Sequence, residues 1–161
     1  MSSIPALKLH QEKFSSDSVR AFEPGEVIFK EGDDSREMFV VLEGQVEVVK
    51  ISSRGEVKLA VLSRGEFLGE MSLLESLPRS ATARAVTAVK MLAIHPGGFL
   101  LKIRRDPTFA FEIMQSLSRR IRVTNDSLMA AMNRGETSPD NLRTIIQGAE
   151  FESQSNESTE L

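Results

Sequence analysis

The chain has 161 residues, 40% hydrophobic and 27% charged, which is the composition of an ordinary globular protein large enough for one domain with a core. It has no cysteine and only two histidines, His10 and His95, which excludes disulfides, thiolate chemistry and a zinc site built on paired imidazoles; no metal and no resident cofactor are expected. The formal charge of −3 sits at one end: Asn133 to Leu161 carries two basic and six acidic residues, leaving 18 basic and 17 acidic residues in the body. That near-neutral body does not describe a globally basic nucleic-acid binder. Apolar runs are broken by charge well before the ~18 residues a membrane helix needs, and MSSIPALKLHQEKF lacks an apolar signal core and a cleavage site. The expectation is a cytoplasmic protein that neither enters a membrane nor is secreted.

Residues 1–20 read as an N-terminal helical lead-in. From about Ala21 to Ile94 the chain reads as short strands separated by turn signals: Pro24-Gly25, Gly32-Asp33-Asp34, Glu43-Gly44, Ser52-Ser53-Arg54-Gly55, Arg64-Gly65 and Leu77-Pro78. Val46–Ile51 and Val57–Leu62 are near-alternating, the period of a half-buried strand, and Ser52–Gly55 reads as the hairpin loop between them. Strands at such spacing with glycine at the corners predict a small antiparallel barrel or sandwich.

The pattern changes at Pro96. Gly97-Gly98 is expected to break the strand run, and Phe99–Arg104 to form a short helix. Asp106-Pro107 is a helix start, with aspartate as N-cap and proline in the first turn, and neither glycine nor proline intervenes until after Met132. Ala110, Met114, Leu117, Ile121, Thr124, Leu128 and Ala131 recur at steps of four and three. This heptad seam predicts pairing with a second copy through the helix 107–132; packing of the stripe on the strands is the alternative. Residues 133–161 are expected to form an acidic, flexible tail, with one short helix around Leu142–Ile146.

The segment with chemical content is Phe67–Thr82. Gly69-Glu70 closes a strand and opens a helical turn, Leu77-Pro78 stops it, and Arg79 leads the next strand. Glycine lets the backbone approach a ligand, and the amides of a helix start attract an anion. An arginine on a rigid strand can grip that anion with two prongs. Glu70, repelled by an anion, suits sugar hydroxyls. A surface salt bridge between Glu70 and Arg79 is the competing explanation.

The pattern G-E-x-[SA]-L followed by P-R-S-A-T resembles the phosphate-binding cassette of the cyclic nucleotide-binding domain family. The upstream FEPGEVIFKEGDDSREMFVVLEGQVEVV is similar to that family's opening strands, and the resemblance runs from about Phe22 to Met132. It implies a double-stranded β-roll of the jelly-roll type with flanking helices, mainly β, occupying residues 21–132. It also implies a 3′,5′-cyclic nucleotide as ligand, cAMP ahead of cGMP. By that resemblance Gly69 and Glu70 meet the ribose, the amides of Met71 and Ser72 help hold the cyclic phosphate, Arg79 pairs with it and Ser80 adds a contact. Val48, Leu59 and Leu62 match pocket-lining positions, with core packing as the alternative. The stretch SRRIRVTN, residues 118–125, resembles the dimerising helix of the family's catabolite-activator branch. There Thr124 and Asn125 match the two positions that reach the adenine edge, although the second is serine in that branch, and Arg120 matches a partner of the cassette glutamate. The same branch continues into a helix-turn-helix domain, whereas the 29 residues after Met132 show no paired-helix pattern, so no direct DNA binding is expected.

Three readings compete. The first is a stand-alone sensor that binds a cyclic nucleotide and signals through its C-terminal helix or tail to a protein effector. The second is a module with the same fold that binds no nucleotide, or a detached regulatory domain of a larger system. The third, an enzyme, has neither a nucleophile–base motif nor metal ligands behind it. A weaker idea is that Lys102, Arg104, Arg105, Arg119, Arg120 and Arg122 form a patch for nucleic acid; a solvated helix face explains the same arginines.

Overall fold

The computed structural model describes residues 18–135, and the readings made for residues 1–17 and 136–161, the N-terminal helix and the acidic tail with its short helix, lie outside the described residues. The chain divides into two compact units, the first ending at Glu112 and the second starting at Ile113.

Among the described residues the first unit holds eight strands: β1 (Ser18–Phe22), β2 (Val27–Phe29), β3 (Met38–Glu43), β4 (Val46–Ser52), β5 (Gly55–Leu62), β6 (Phe67–Leu68), β7 (Thr82–Ala85) and β8 (Val89–Ile94). Helix α1 (Glu70–Glu75) follows β6, α2 (Pro96–Arg105) follows β8, and α3 (Pro107–Asn133) opens in this unit. The strands form two four-stranded sheets, ordered β1-β8-β3-β6 and β2-β7-β4-β5, with every pairing antiparallel. This is the expected mainly β roll. Inward-facing side chains of both sheets form one core: Phe29, Phe39, Val41, Val46, Leu62, Leu68, Ala83, Ala85, Val89, Met91 and Ala93. Their spacing along β3 and β8 is the two-residue period of a pleated strand.

Two sequence boundaries need correction. β1 begins at Ser18 and pairs with β8 from Ser18↔Ala93 to Phe22↔Val89, so residues 18–20 belong to the roll rather than to a lead-in. SVRAF does not announce itself as half-buried, because on this edge strand Val19 and Ala21 are exposed while Arg20 is partly buried. Helix α2 starts at Pro96, not Phe99: His95 is the extended N-cap, and Pro96 and the two glycines form the first turn, where a missing N–H costs nothing.

The Ser52–Gly55 hairpin forms as read, with Ser52 paired to Gly55 and two residues between them. Helix α3 begins where the Asp106-Pro107 signal put it, with the Asp106 carboxylate accepting from the Thr108 amide at 3.0 Å. Phe99 of α2 meets Phe109 of α3 edge to face, ring centroids 5.8 Å apart. In the second unit α3 leaves Met114, Ile121 and Leu128 of the heptad seam exposed, with Leu117 half-buried. Among the described residues no helix is long and apolar enough to cross a membrane.

Candidate functional site

The site is built where β6, α1 and the strand entrance at β7 meet the loop between β2 and β3. Gly69 is the N-cap of α1 in the left-handed region (φ 82°), and the helix ends after six residues at Ser76, also left-handed. So short a helix has little macrodipole, and any strong attraction for an anion here falls to Arg79.

Arg79 is 3% exposed. Its main chain is paired with the β2–β3 loop, the Gly32 amide donating to the Arg79 carbonyl and the Arg79 amide to the Asp33 carbonyl, each at 2.8 Å. The side chain then turns into the roll. Nε donates to Ser35 Oγ at 3.0 Å, Nη1 to the Gly69 carbonyl at 3.1 Å and Nη2 to the Glu37 carbonyl at 2.7 Å. The guanidinium lies 4.1 Å above the centre of the Phe29 ring. All three acceptors are neutral. Burial pulls the Arg79 pKa down, while attraction to Glu37, Asp33 and Glu70 pulls it up; an arginine stays charged throughout. The surface salt bridge considered for Glu70 and Arg79 is corrected in one respect: both residues are buried, so their attraction is not a surface one.

An arginine has five N–H donors, and acceptors among the described residues take three of those on Arg79. What the arrangement offers is a fixed, desolvated cation with donors left over, beside the glycine-led turn. That is the chemistry of an anion site.

The other cassette residues gather around it. Glu70 and Ser72 are buried, Met71 is half exposed, and Ser80 Oγ lies 3.7 Å from Met71 Sδ. Of the pocket-lining candidates, Leu62 is in the core, Val48 packs against it half-buried, and Leu59 is 55% exposed on β5, so core packing is not the explanation for Leu59. Leu59 is the extra residue of a β-bulge, since Val48 pairs with Ala60 and Val49 with Lys58. Thr124 and Asn125 are exposed residues of α3 in the second unit, as is most of that helix surface, and Arg120 there is half-buried. In the suggested nucleic-acid patch Lys102 is 8% exposed, which removes it from any solvated basic face.

Four residues of this site were not read from the sequence: Phe29, Ser35, Glu37 and Lys50. Lys50 reaches from β4 to donate to the Ser80 carbonyl at 2.7 Å and pairs with Glu31 at 3.3 Å. Nothing local marks these residues, because each acts on the cassette across 30 or more positions of sequence.

Comparison with known proteins gives the family of this fold. The family model described as cyclic nucleotide-binding domain matches residues 19–106, more than half of the chain. The chain belongs to the cyclic nucleotide-binding domain family. Among its relatives is the cyclic AMP receptor protein of Thermus thermophilus, 38% identical over 104 residues, which are 64% of this chain and 48% of the relative. The cAMP-dependent protein kinase regulatory subunit of Mycosarcoma maydis is 40% identical over 75 residues, 45% of this chain and 14% of the relative. Among solved structures, the catabolite activator protein of Thermus thermophilus superposes with a TM-score of 0.66 at 35% identity, covering 72% of this chain and 55% of that one. The chain therefore spans about half or less of the length of these relatives. As a cyclic nucleotide-binding domain it is homologous to both catabolite activators and kinase regulatory subunits.

Proposed function

We propose that this protein is a cyclic-nucleotide sensor that binds cAMP and passes its occupancy through α3 to a partner, acting without catalysis in the cytoplasm. The observation that carries the reading is Arg79, a buried cation next to Gly69 whose hydrogen-bond acceptors among the described residues are all neutral. Burying a charge costs several kcal/mol, and the attraction of Glu37, Asp33 and Glu70 offsets part of it. A cyclic phosphate offsets more. In this reading Arg79 takes the phosphate with its remaining donors, the amides of Met71 and Ser72 and the Ser80 group assist, and Glu70 accepts from the ribose hydroxyl. The wall is Val48, Leu59 and Leu62. The match to the activator helix suggests a base-reading role for Thr124 and Asn125 and a supporting role for Arg120.

The choice of cAMP over cGMP draws on the two relatives named for cyclic AMP and on Thr124-Asn125. The apolar residues Met114, Ile121 and Leu128, exposed at heptad spacing, support a homodimer through α3.

Titration calorimetry of the full chain with cAMP, cGMP and cyclic di-GMP tests the reading. Saturable binding of cAMP, at least tenfold tighter than cGMP, is the expected result. If none of the three binds, the alternative is correct: an interaction module that keeps the roll without its ligand.

A further inference from the structure

We propose that Glu37 is a positioning residue for the phosphate anchor, and that it ties Arg79 to His95 at the head of α2; this rests on reading Arg79 as the anchor. Glu37 acts at both of its ends. Its carbonyl accepts from Arg79 Nη2 at 2.7 Å. Its carboxylate accepts both prongs of Arg20 from β1, Nη1 to Oε2 at 3.0 Å and Nη2 to Oε1, and His95 Nε2 lies 3.3 Å from the same Oε1.

The three residues converge because their strands are neighbours. Met38, next to Glu37, pairs with Ile94, next to His95, and Arg20 pairs with Met91 on the other side of β8. The Glu37 side chain is 16% exposed, while Arg20 and His95 are 41% and 44% exposed, so water screens the pair from the cation side only. A two-pronged contact fixes a carboxylate in direction as well as distance. With the side chain fixed from two strands, the Glu37 peptide is fixed too, and its carbonyl decides where Nη2 points. The guanidinium fork reaches a phosphate only if its plane is set in advance, which is the requirement for preorganised binding. His95 is the N-cap of α2. A change at Arg79 on binding therefore arrives, through one residue, at the first turn of a helix, and the coupling is reciprocal.

The test uses the full chain with Glu37→Gln, which keeps the carbonyl and the shape and removes the charge. Three quantities are read: cAMP affinity and off-rate, the Arg79 Nε–Hε signal in side-chain NMR, and the His95 ring signals during cAMP titration. The expected result is about tenfold weaker binding, carried by the off-rate, with an Arg79 signal displaced before any nucleotide is added. The His95 signals should move on titration in the wild type and stay still in Glu37→Gln. Glu43→Gln, which removes the exposed Lys90–Glu43 pair on the same sheet, serves as the comparison and should change none of the three. Arg20→Lys, which keeps charge but loses the fork, should fall between wild type and Glu37→Gln, and it decides the matter if Glu37→Gln does not fold. Normal affinity together with an undisplaced Arg79 signal in both variants overturns the proposal. Failure of the underlying reading looks different: Arg79→Ala would then bind cAMP as the wild type does, whatever Glu37→Gln shows.

Discussion

The Gly69 carbonyl oxygen lies 3.1 Å from Arg79 Nη1, and a Cβ placed on Gly69 would stand 2.5 Å from that same nitrogen and 2.8 Å from the Glu37 carbonyl. The closeness that lets the arginine bond to the turn is available only to a residue without a side chain, in a left-handed conformation that also favours glycine (φ 82°). Gly69→Ala should therefore lose about 1–3 kcal/mol of stability from backbone strain. Because the first atom struck is the guanidinium, it should also weaken nucleotide binding more than the stability loss explains. Thermal unfolding and calorimetry on one sample check both, and an alanine variant with wild-type affinity would rule out the close approach as a binding requirement.

If Arg79 holds the phosphate as proposed, Arg79→Ala removes a charge-assisted contact of roughly 1.5–3 kcal/mol and leaves the phosphate without its partner, so affinity should fall at least about 100-fold. Lysine should restore only part, since an ammonium cannot reproduce the fork or stack on Phe29 in the same way. Circular dichroism must show the roll intact in both. Unchanged affinity in the folded alanine variant removes the phosphate role.

The α3 seam gives a separate prediction. An aspartate at Ile121, which is 62% exposed in one copy, should place a charge in the middle of the pairing face and convert a dimer to a monomer in light scattering. Leu117→Asp should do the same. Thr124→Ala should lower nucleotide affinity with little effect on the unfolding temperature. A monomer with and without nucleotide, together with normal binding by Thr124→Ala, leaves the dimer model without support.

Acid sensitivity should come in part from Glu47. Its carboxylate is held below its ordinary pKa of 4.5 by the hydrogen bond from Lys58 and then that from Arg84 Nε, at 2.9 and 2.7 Å. A carboxylate whose folded pKa is depressed contributes stability that is present above its unfolded pKa, and that contribution disappears as pH falls through the lower folded value. Glu47→Gln should thus lower stability most above about pH 4.5, where the paired carboxylate contributes fully, and its difference from the wild type should shrink as pH falls further. A variant whose unfolding temperature tracks the wild type throughout the acid range contradicts this assignment.

Much of the fold was legible because its signals are local. The alternation in β4 and β5, the two-residue hairpin and the Asp106 cap each depend on a few adjacent residues. β1 was not legible: its alternating Val19 and Ala21 are two residues only and face solvent, and its pairing with β8 makes it a strand. The start of α2 was misread because two glycines discourage a helix by propensity, whereas in place they follow a proline in the first turn.

The sequence by itself determined that a strand, a glycine, a short turn and an arginine follow one another in the order a phosphate cassette requires. Turn chemistry and hydrophobic period act over a few residues, and a chain cannot conceal them. Only the tertiary structure decided what Arg79 is. Its partners Ser35 and Glu37 lie 44 and 42 residues away in sequence, and the ring beneath it belongs to Phe29. Whether an arginine is a solvated surface charge or a buried anchor depends on desolvation and on which carbonyls face it, and both are set by the closing of the two sheets rather than by any neighbour along the chain.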